Sequence, residues 1–336
     1  MNEIQGYSSY PPFVEKKKKR LFYEIIMIPQ CHTIPTPYIV GPVHCYSTEL
    51  DGELTLFDCG PPTAECRRFL AKNVDLSRLK NLILTHGHLE HWGQALWLAE
   101  QGVTVYMPQA DHLKIVRWEE RRRGIAALMG EVGFPQSWLR QFDKAYLEES
   151  IYSEFPPGYR IVEDELPEHF GLQVHACPGH SVSDLVYEGD GWIVSGDTLL
   201  EGIFQSPVLD LEPGKNSRFL NYRACCRSIV ELASLQGNTV LPGHRSGHGV
   251  KEMLLGYVNT ALSRAKRFRP WQGENMMKVL DVMLEGRIKG PFHVYLKVSE
   301  LLFLTDFLSE PELLRSALKE AGLYNDVARH FEEVFG

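Results

Sequence analysis

The sequence predicts an α/β fold that carries a helical insertion and ends in a helical region. Up to about residue 249, short apolar runs typical of β-strands alternate with amphipathic segments, which is the pattern of a mixed α/β domain. Between 110 and 150 apolar residues recur at helical spacing, and beyond 249 the strand signals largely cease. With 336 residues, 44% of them hydrophobic, the chain is long enough for one large domain with an appendage.

The predicted strands are short runs rich in β-branched and aromatic residues, bounded by glycine, proline or polar residues. They are 21–28, 38–50 (long, or two strands broken at Gly41-Pro42), 53–57, 81–84, 103–106, 171–176, 184–187, 192–195 and 239–241. Asp51-Gly52 joins two of them, and this dipeptide favours a tight hairpin because both residues tolerate positive φ.

The predicted helices are segments in which apolar residues recur every three or four positions. They are 64–72, 93–100, two or three helices within 110–150, 216–235, 253–267, 275–284, 298–308 and 310–335. We therefore divide the chain into a basic, disordered tail (1–20), an α/β domain (21–250, with its insertion at 110–150) and a helical tail (251–336).

Charge and cysteine content narrow the classes of partner and compartment. The net charge is −8, and an acidic chain binds nucleic acid poorly. We interpret the basic run 16–20 as part of a solvated tail. No secretory signal and no run near the roughly 18 apolar residues of a membrane span is visible. Seven cysteines without a CxxC pair indicate reduced thiols, so we expect a cytoplasmic protein with no membrane partner.

The most informative stretch lies between the predicted strand 81–84 and the helix 93–100. It places three imidazoles and a carboxylate within six positions: His86, His88, Glu90 and His91. Histidine is the commonest nitrogen ligand for zinc, and a carboxylate can complete such a site. One histidine on a loop is ordinarily only solvated or hydrogen-bonded, but this density at the end of a strand predicts metal binding.

Three later strand ends carry the same kind of residue between small neighbours. They are His180 in Pro-Gly-His-Ser, Asp197 in Gly-Asp-Thr and His244 in Pro-Gly-His. Glycine permits the tight turns and close backbone approach that a ligand loop needs. Together with the first stretch they supply five histidines and two carboxylates, enough for two metal ions that share one carboxylate.

In this combination the chain resembles the metallo-β-lactamase superfamily. The family motif His-x-His-x-Asp-His matches residues 86–91 except at Glu90, and the motifs at 178–181, 196–198 and 242–244 match as well. Phe57-Asp58-Cys59-Gly60 looks like the family's Asp-Thr-Gly turn beneath the site. The resemblance covers about 24–249 and is nearest to the glyoxalase-II-like and lactamase-like hydrolases, several of which carry a helical insert and a helical, winged-helix-like tail.

The resemblance implies a four-layer αβ/βα sandwich, the metallo-β-lactamase fold, with metal bound at one edge between the sheets and residues 21–250 as the catalytic domain. It implies that the first metal is held by His86, His88 and His180. The second would be held by His91, His244 and the residue at 90, with Asp197 bridging. The expected cofactors are two divalent metal ions, zinc foremost, with iron or manganese as alternatives.

Glu90 departs from the family, which usually has aspartate there. One extra methylene moves the carboxylate by about 1.5 Å, whereas metal–oxygen distances tolerate only about 0.2 Å. Either the backbone adjusts, or Glu90 stands behind the ligands and the second site is weakened. We hypothesise that Glu90 still points at the second metal. A carboxylate-rich site would also suit iron or manganese.

The expected activity is metal-dependent hydrolysis in which a metal-bridged hydroxide attacks an ester-type carbonyl, with Glu90 and Asp197 positioning it and shuttling its proton. The expected substrate is a small-molecule thioester or lactone, although a fold does not determine a substrate. The alternatives are a phosphodiesterase or ribonuclease of the same superfamily, a di-iron oxidoreductase, and a non-catalytic metal-binding protein.

Three further features of the helical segments bear on substrate binding and on self-association. The large apolar residues of the insertion are assigned to core packing rather than to a substrate pocket; they are Trp118, Leu128, Met129, Phe134 and Trp138. The basic residues Arg117 and 121–123 are interpreted as a solvated helix face, with an anionic substrate tail as the alternative ligand. The helical tail is compatible with a homodimer contact and equally with packing inside one chain.

Overall fold

The computed structural model describes residues 28–38, 40–147, 155–202, 204, 207–285, 287 and 290–336. The basic tail 1–20 and the predicted strand 21–28, apart from Ile28, lie outside the described residues.

Ten strands in the described ranges form two sheets. The first sheet has the order β1-β2-β3-β4-β5-β6, and the second has the order β10-β9-β8-β7. The strands are β1 (Gln30–Ile34), β2 (Val43–Leu50), β3 (Glu53–Phe57), β4 (Leu79–Ile83), β5 (Thr104–Met107), β6 (Arg160–Ile161), β7 (Gln173–Ala176), β8 (Leu185–Glu188), β9 (Trp192–Gly196) and β10 (Thr239–Pro242).

Each sheet combines parallel and antiparallel pairs. In the first sheet β1, β2 and β3 pair antiparallel, whereas β3, β4, β5 and β6 run parallel. In the second sheet β10 is parallel to β9, and β7, β8 and β9 pair antiparallel. Asp51 and Gly52 close the β2–β3 hairpin with φ of 48° and 79°, as the dipeptide predicts.

The helices cover the outer faces of the two sheets, and those of the insertion and the C-terminal region add to the layer on the second sheet. They are α1 (Ala64–Asn73), α2 (Leu89–Trp92), α3 (Ala95–Glu100), α4 (Gln109–Val116), α5 (Trp118–Glu131), α6 (Gln136–Leu147), α7 (Val162–Glu165), α8 (Asn221–Ser234), α9 (Val250–Phe268), α10 (Met276–Leu284), α11 (Pro291–Ser309), α12 (Pro311–Glu320) and α13 (Tyr324–Phe335). Within the described ranges, none of them combines the length and hydropathy needed to cross a membrane.

Alternating side chains of the strands build the layers. On β3, Leu56 belongs to the core between the first sheet and the helices α1 and α3, whereas its neighbour Phe57 belongs to the core between the two sheets. Phe57 contacts Tyr187 of β8 at a ring-centroid distance of 5.4 Å, which joins the two sheets. The outer face of the second sheet packs against α8 and α9. The result is a helix–sheet–sheet–helix sandwich.

The insertion and the C-terminal helices share the core on the outer side of the second sheet. Met129 and Phe134 are buried there, and Leu128 and Trp138 pack partly buried against the same cluster, in agreement with the core-packing interpretation. For Trp118 that interpretation is wrong, because its ring lies outside the clusters that the described residues form, 5.8 Å from the Arg121 guanidinium. The described residues beyond 250 form helices that join this cluster. The boundary between two domains at residue 250 stays a prediction. In the structure, one continuous core contains residues from both sides of that position.

Some boundaries differ from those that the sequence predicts. The described residues 38 and 40–42 are not in a strand, since β2 begins only at Val43 after Gly41-Pro42. Strand β1 was not predicted; its polar, mostly exposed residues form an edge strand with weak hydrophobic alternation. The predicted helix 310–335 is two helices, because Gly322 adopts a φ of 71° between α12 and α13.

Candidate metal centre

The four predicted ligand loops meet at one edge of the sandwich. The loop after β4 carries the histidine-rich stretch, and those after β7, β9 and β10 carry His180, Asp197 and His244. Backbone hydrogen bonds join these loops: Leu185 N donates to Thr85 O (3.0 Å), and Gly243 N donates to Gly196 O (2.7 Å). Side chains separated by about 160 positions in the chain are thereby brought together.

Four of these side chains form a first group: His86, His88, His180 and Asp197 each offer one atom, and these atoms all lie within 4.8 Å of one another. His88 Nδ1 lies 3.0 Å from His86 Nε2 and 3.0 Å from His180 Nε2. The Asp197 Oδ2 atom lies 3.7 Å from His180 Nε2. Three imidazole nitrogens and a carboxylate oxygen thus point at a common space, the donor set that suits zinc or iron.

The remaining three form a second group in the same way: Glu90, His91 and His244 offer atoms within 4.8 Å of one another. Asp197 lies between the groups, because its Oδ2 is 3.7 Å from His180 Nε2 in the first group and 3.5 Å from His244 Nε2 in the second, while its Oδ1 is 3.4 Å from His91 Nε2. The structure therefore brings all seven predicted residues together, with a carboxylate oxygen of Glu90 in the second group; that Glu90 holds a metal ion stays a prediction.

In His91 and His244, the ring nitrogen Nδ1 points away from the ligand group and lies against a hydrogen-bond acceptor. Asp58 Oδ2 lies 2.8 Å from His91 Nδ1, and the Pro42 carbonyl lies 2.6 Å from His244 Nδ1. Since a carbonyl only accepts, His244 must donate from Nδ1, which leaves a lone pair on Nε2 when the ring is neutral. Such contacts behind the ligands set the tautomer and the ring orientation in metal sites.

Buried atoms without a hydrogen-bond partner provide the test of whether a metal fits. Among the described residues these atoms include His91 Nε2, His244 Nε2 and Asp197 Oδ1, which face one another. Buried polar atoms are normally satisfied by a hydrogen-bond partner or an ion. A bound cation would satisfy all three at once, so the donor set fits a metal ion.

Burial and charge set the protonation of these groups, and at His91 a proton competes with a metal ion. Burial, reinforced by neighbouring imidazoles, holds the pKa of His86 and of His88 well below the usual value, so both rings are neutral ligands at pH 7. Burial alone would raise the pKa of Asp197, but His91 and His244 outweigh it, and the pKa lies well below its usual range. Burial likewise opposes charge on His91, yet Asp197 and Asp58 raise its pKa well above the usual value.

Asp58 is the functional residue whose role the sequence left unassigned. It adopts a φ of 57° and accepts hydrogen bonds from Thr85 N (2.9 Å) and Thr85 Oγ1 (2.8 Å) besides facing His91. Its position at a strand end beside the motif was the available signal. Pro42 left no signal, because it acts through a backbone carbonyl that any residue possesses.

The chain belongs to the metallo-β-lactamase superfamily. The model of that superfamily matches residues 38–244, which is more than half of the chain and includes both ligand groups. A curated relative, the probable metallo-hydrolase YqjP of Bacillus subtilis (strain 168), is 30% identical over 230 residues, which cover 63% of this chain and 69% of the relative.

Solved structures agree on the fold. A metallo-β-lactamase family protein from Thermus thermophilus aligns with a TM-score of 0.62 at 20% identity, covering 84% of this chain and 94% of its own. A β-lactamase domain protein from Burkholderia ambifaria aligns with a TM-score of 0.63 at 20% identity, covering 84% and 86%. At this identity the likeness concerns the fold alone.

Proposed function

We propose that the chain is a metal-dependent hydrolase with two divalent ions, which cleaves an ester-type bond in a small molecule, a thioester or a lactone. His86, His88 and His180 would hold the first ion; Glu90, His91 and His244 would hold the second; and Asp197 would contact both. Superfamily membership and the similarity to a probable metallo-hydrolase support hydrolysis. The observation that carries the metal assignment is the set of partnerless buried atoms on His91, His244 and Asp197.

Bound divalent ions would lower the pKa of a coordinated water towards 7 and polarise the substrate carbonyl. The protein's own contribution is to arrange charge and protons around them. Asp197 is ionised at neutral pH, because its pKa lies well below the usual range, and its Oδ2 faces His180 of the first group and His244 of the second. Glu90 is the partly exposed carboxylate of the set, so a proton that it accepts at a carboxylate oxygen can pass on to solvent or to the leaving group.

The choice of a small-molecule ester rests on charge. A net charge of −8 disfavours nucleic acid, which argues against the ribonuclease alternative. The complete set of seven donor side chains argues against a hydrolase scaffold that has lost its metal site. All seven cysteines are free thiols, which supports the proposal of a reducing, cytoplasmic environment.

The proposal is tested by elemental analysis of the purified protein together with a panel of chromogenic thioesters, lactones and phosphodiesters. We expect thioester or lactone cleavage that is abolished in His86→Ala and in Asp197→Ala while the far-ultraviolet circular dichroism is unchanged. His169→Ala is the matched control, because His169 is exposed and lies in neither ligand group. Cleavage of phosphodiesters alone, or activity that survives both substitutions, would refute the proposal.

A further inference from the structure

We infer that a cavity bounded by α4, α5 and the loop 210–215 binds an anionic arm of the substrate, a phosphate or carboxylate group joined to the ester. We call it the anion cavity. The inference rests on the proposed ester hydrolysis and names a property of its substrate. The cavity is lined by apolar and charged side chains, among them Lys114, Arg117, Arg121 and Lys215.

The inner wall of the anion cavity adjoins the first ligand group. Lys114, only 6% exposed, donates from Nζ to Asp111 Oδ1 at 2.7 Å and to Ser183 Oγ at 3.1 Å. Asp111 packs so closely on Gly87, between His86 and His88 in the chain, that a Cβ at position 87 would collide with its carboxylate. Ser183 lies three residues after His180. A substrate whose carbonyl sits at the metal centre could therefore reach the cavity with a short arm.

The inner pair of cations is held firmly. Arg121 donates to both carboxylate oxygens of Asp210, from Nε at 2.7 Å and from Nη2 at 3.0 Å, and Asp210 is only 4% exposed. Lys114 is paired with Asp111. These contacts fix the inner wall, so it is preorganised for recognition rather than free to reorganise.

The outer pair of cations is more exposed. Arg117 donates to both carboxylate oxygens of Glu120, from Nε at 2.8 Å and from Nη2 at 2.6 Å, and these side chains are 37% and 34% exposed. Lys215 and Glu212 are 3.8 Å apart with side chains 66% and 38% exposed, and such an exposed pair adds little to stability, so Lys215 can turn to a ligand at small cost. Arg117 already reaches across the mouth, with Nη1 3.3 Å from the position that a Cβ of Gly214 would take.

The side chains that line the cavity also indicate which shape of ligand would fit it. Ala110, Leu113 and Val182 line the cavity together with the cations, so an apolar stem would pass between the reacting carbonyl and the charged end. The carboxylates that face the same cations (Asp111, Glu120, Asp210 and Glu212) would repel a second negative charge placed away from Arg117 and Lys215. A single terminal anion on a short apolar stem fits this arrangement.

The test compares matched thioesters with the metal-loaded enzyme. One pair carries the charge on the thiol arm (S-acetyl mercaptopropionate against its amide), and the other carries it on the acyl arm (a succinyl thioester against its amide). We expect about a 10-fold preference in kcat/KM for the anionic member of at least one pair, the effect of one charge-assisted contact. The double variant Arg117→Ala/Lys215→Ala should lose that preference.

The matched control is Arg123→Ala/Lys72→Ala, which removes the same charge from exposed positions outside the cavity and should keep the preference. Equal rates for both members of each pair in the wild type, or a preference that survives the double variant, would overturn the inference.

A second measurement separates this inference from the proposed function. Inorganic phosphate is titrated calorimetrically into metal-loaded wild type, double variant and control. If no thioester is cleaved, the proposed function fails, and phosphate binding about 10-fold weaker in the double variant than in the control would still support an anion cavity. Equal phosphate binding in all three proteins would refute it. Loss of phosphate binding without any preference among cleaved thioesters would overturn the assignment to a substrate arm.

Discussion

At the scale of single residues, the site depends on side chains that stand behind the metal-facing atoms. Asp58 faces His91 Nδ1 and also accepts two hydrogen bonds from Thr85, so its carboxylate holds the ring and the neighbouring loop in one position. Metal sites lose affinity when such contacts are removed, although the ligands themselves remain.

We therefore expect Asp58→Asn to bind metal about 10- to 100-fold more weakly and to lose activity in proportion. The amide keeps the size of the carboxylate but accepts at only one oxygen. Competitive titration with a chromogenic chelator measures the affinity. Asp75→Asn is the control, because Asp75 contacts Ser77 on an exposed loop. Unchanged affinity in Asp58→Asn would show that the contact is dispensable.

Gly243 is constrained by the same site. A Cβ there would collide with Asp197 Oδ1 and His91 Cε1, the two side chains whose facing atoms lack partners. We expect Gly243→Ala to displace one of them and to reduce bound metal, measured by elemental analysis, while the protein stays folded. Gly256→Ala, where a Cβ meets open space, should retain all metal. Full metal content in Gly243→Ala would contradict this geometry.

At the scale of elements, the insertion is tied to the rest of the molecule by Arg121 on α5 and Asp210 on the loop before α8. Asp210 is buried, which alone would raise its pKa, but the Arg121 guanidinium outweighs burial and lowers it. A carboxyl group whose folded pKa is depressed stabilises the fold above its unfolded pKa, and this contribution is lost as pH falls through the folded pKa.

We expect Arg121→Gln to reduce the free energy of unfolding at pH 7 by about 2–4 kcal/mol, because Asp210 is left buried without its partner. The difference between variant and wild type should shrink below about pH 4, where Asp210 takes up a proton in the unfolded chain. Urea unfolding at several pH values measures both effects. A difference that is independent of pH would assign the loss to packing instead.

Elements also show what a sequence can and cannot predict. The ligand loops were predictable because histidines and small residues recur at the ends of apolar strands, which is a local pattern. Strand β1 was missed because an edge strand with exposed polar residues carries almost no hydrophobic alternation. The break between α12 and α13 depends on one glycine, and the contact from Pro42 to His244 depends on a backbone atom, so neither leaves a strong side-chain pattern.

At the scale of the whole molecule, one core joins the second sheet, the insertion and the C-terminal helices. Phe134 of the insertion, Ile193 of β9 and Phe307 of α11 belong to the same cluster of buried side chains. A continuous core of this kind favours unfolding as one unit, even though the sequence predicts a separate helical tail.

We therefore expect one cooperative transition in denaturant, with coincident midpoints from tryptophan fluorescence and far-ultraviolet circular dichroism. Phe307→Ala, in the C-terminal helices, should lower the midpoint of both signals together, at a cost of about 3–5 kcal/mol for a buried aromatic residue. Two separated transitions, only one of them shifted by this substitution, would mean that the C-terminal helices unfold on their own.

The central claim is that each ligand group holds one metal ion, and metal content per chain tests it most directly. Elemental analysis of protein equilibrated with zinc should give two ions in the wild type, one in His88→Ala and one in His244→Ala, because each substitution removes a ligand from a different group. Glu90→Ala should weaken only the ion that His244→Ala removes. A wild-type chain that holds no ion, or a content that neither histidine substitution changes, would contradict the account.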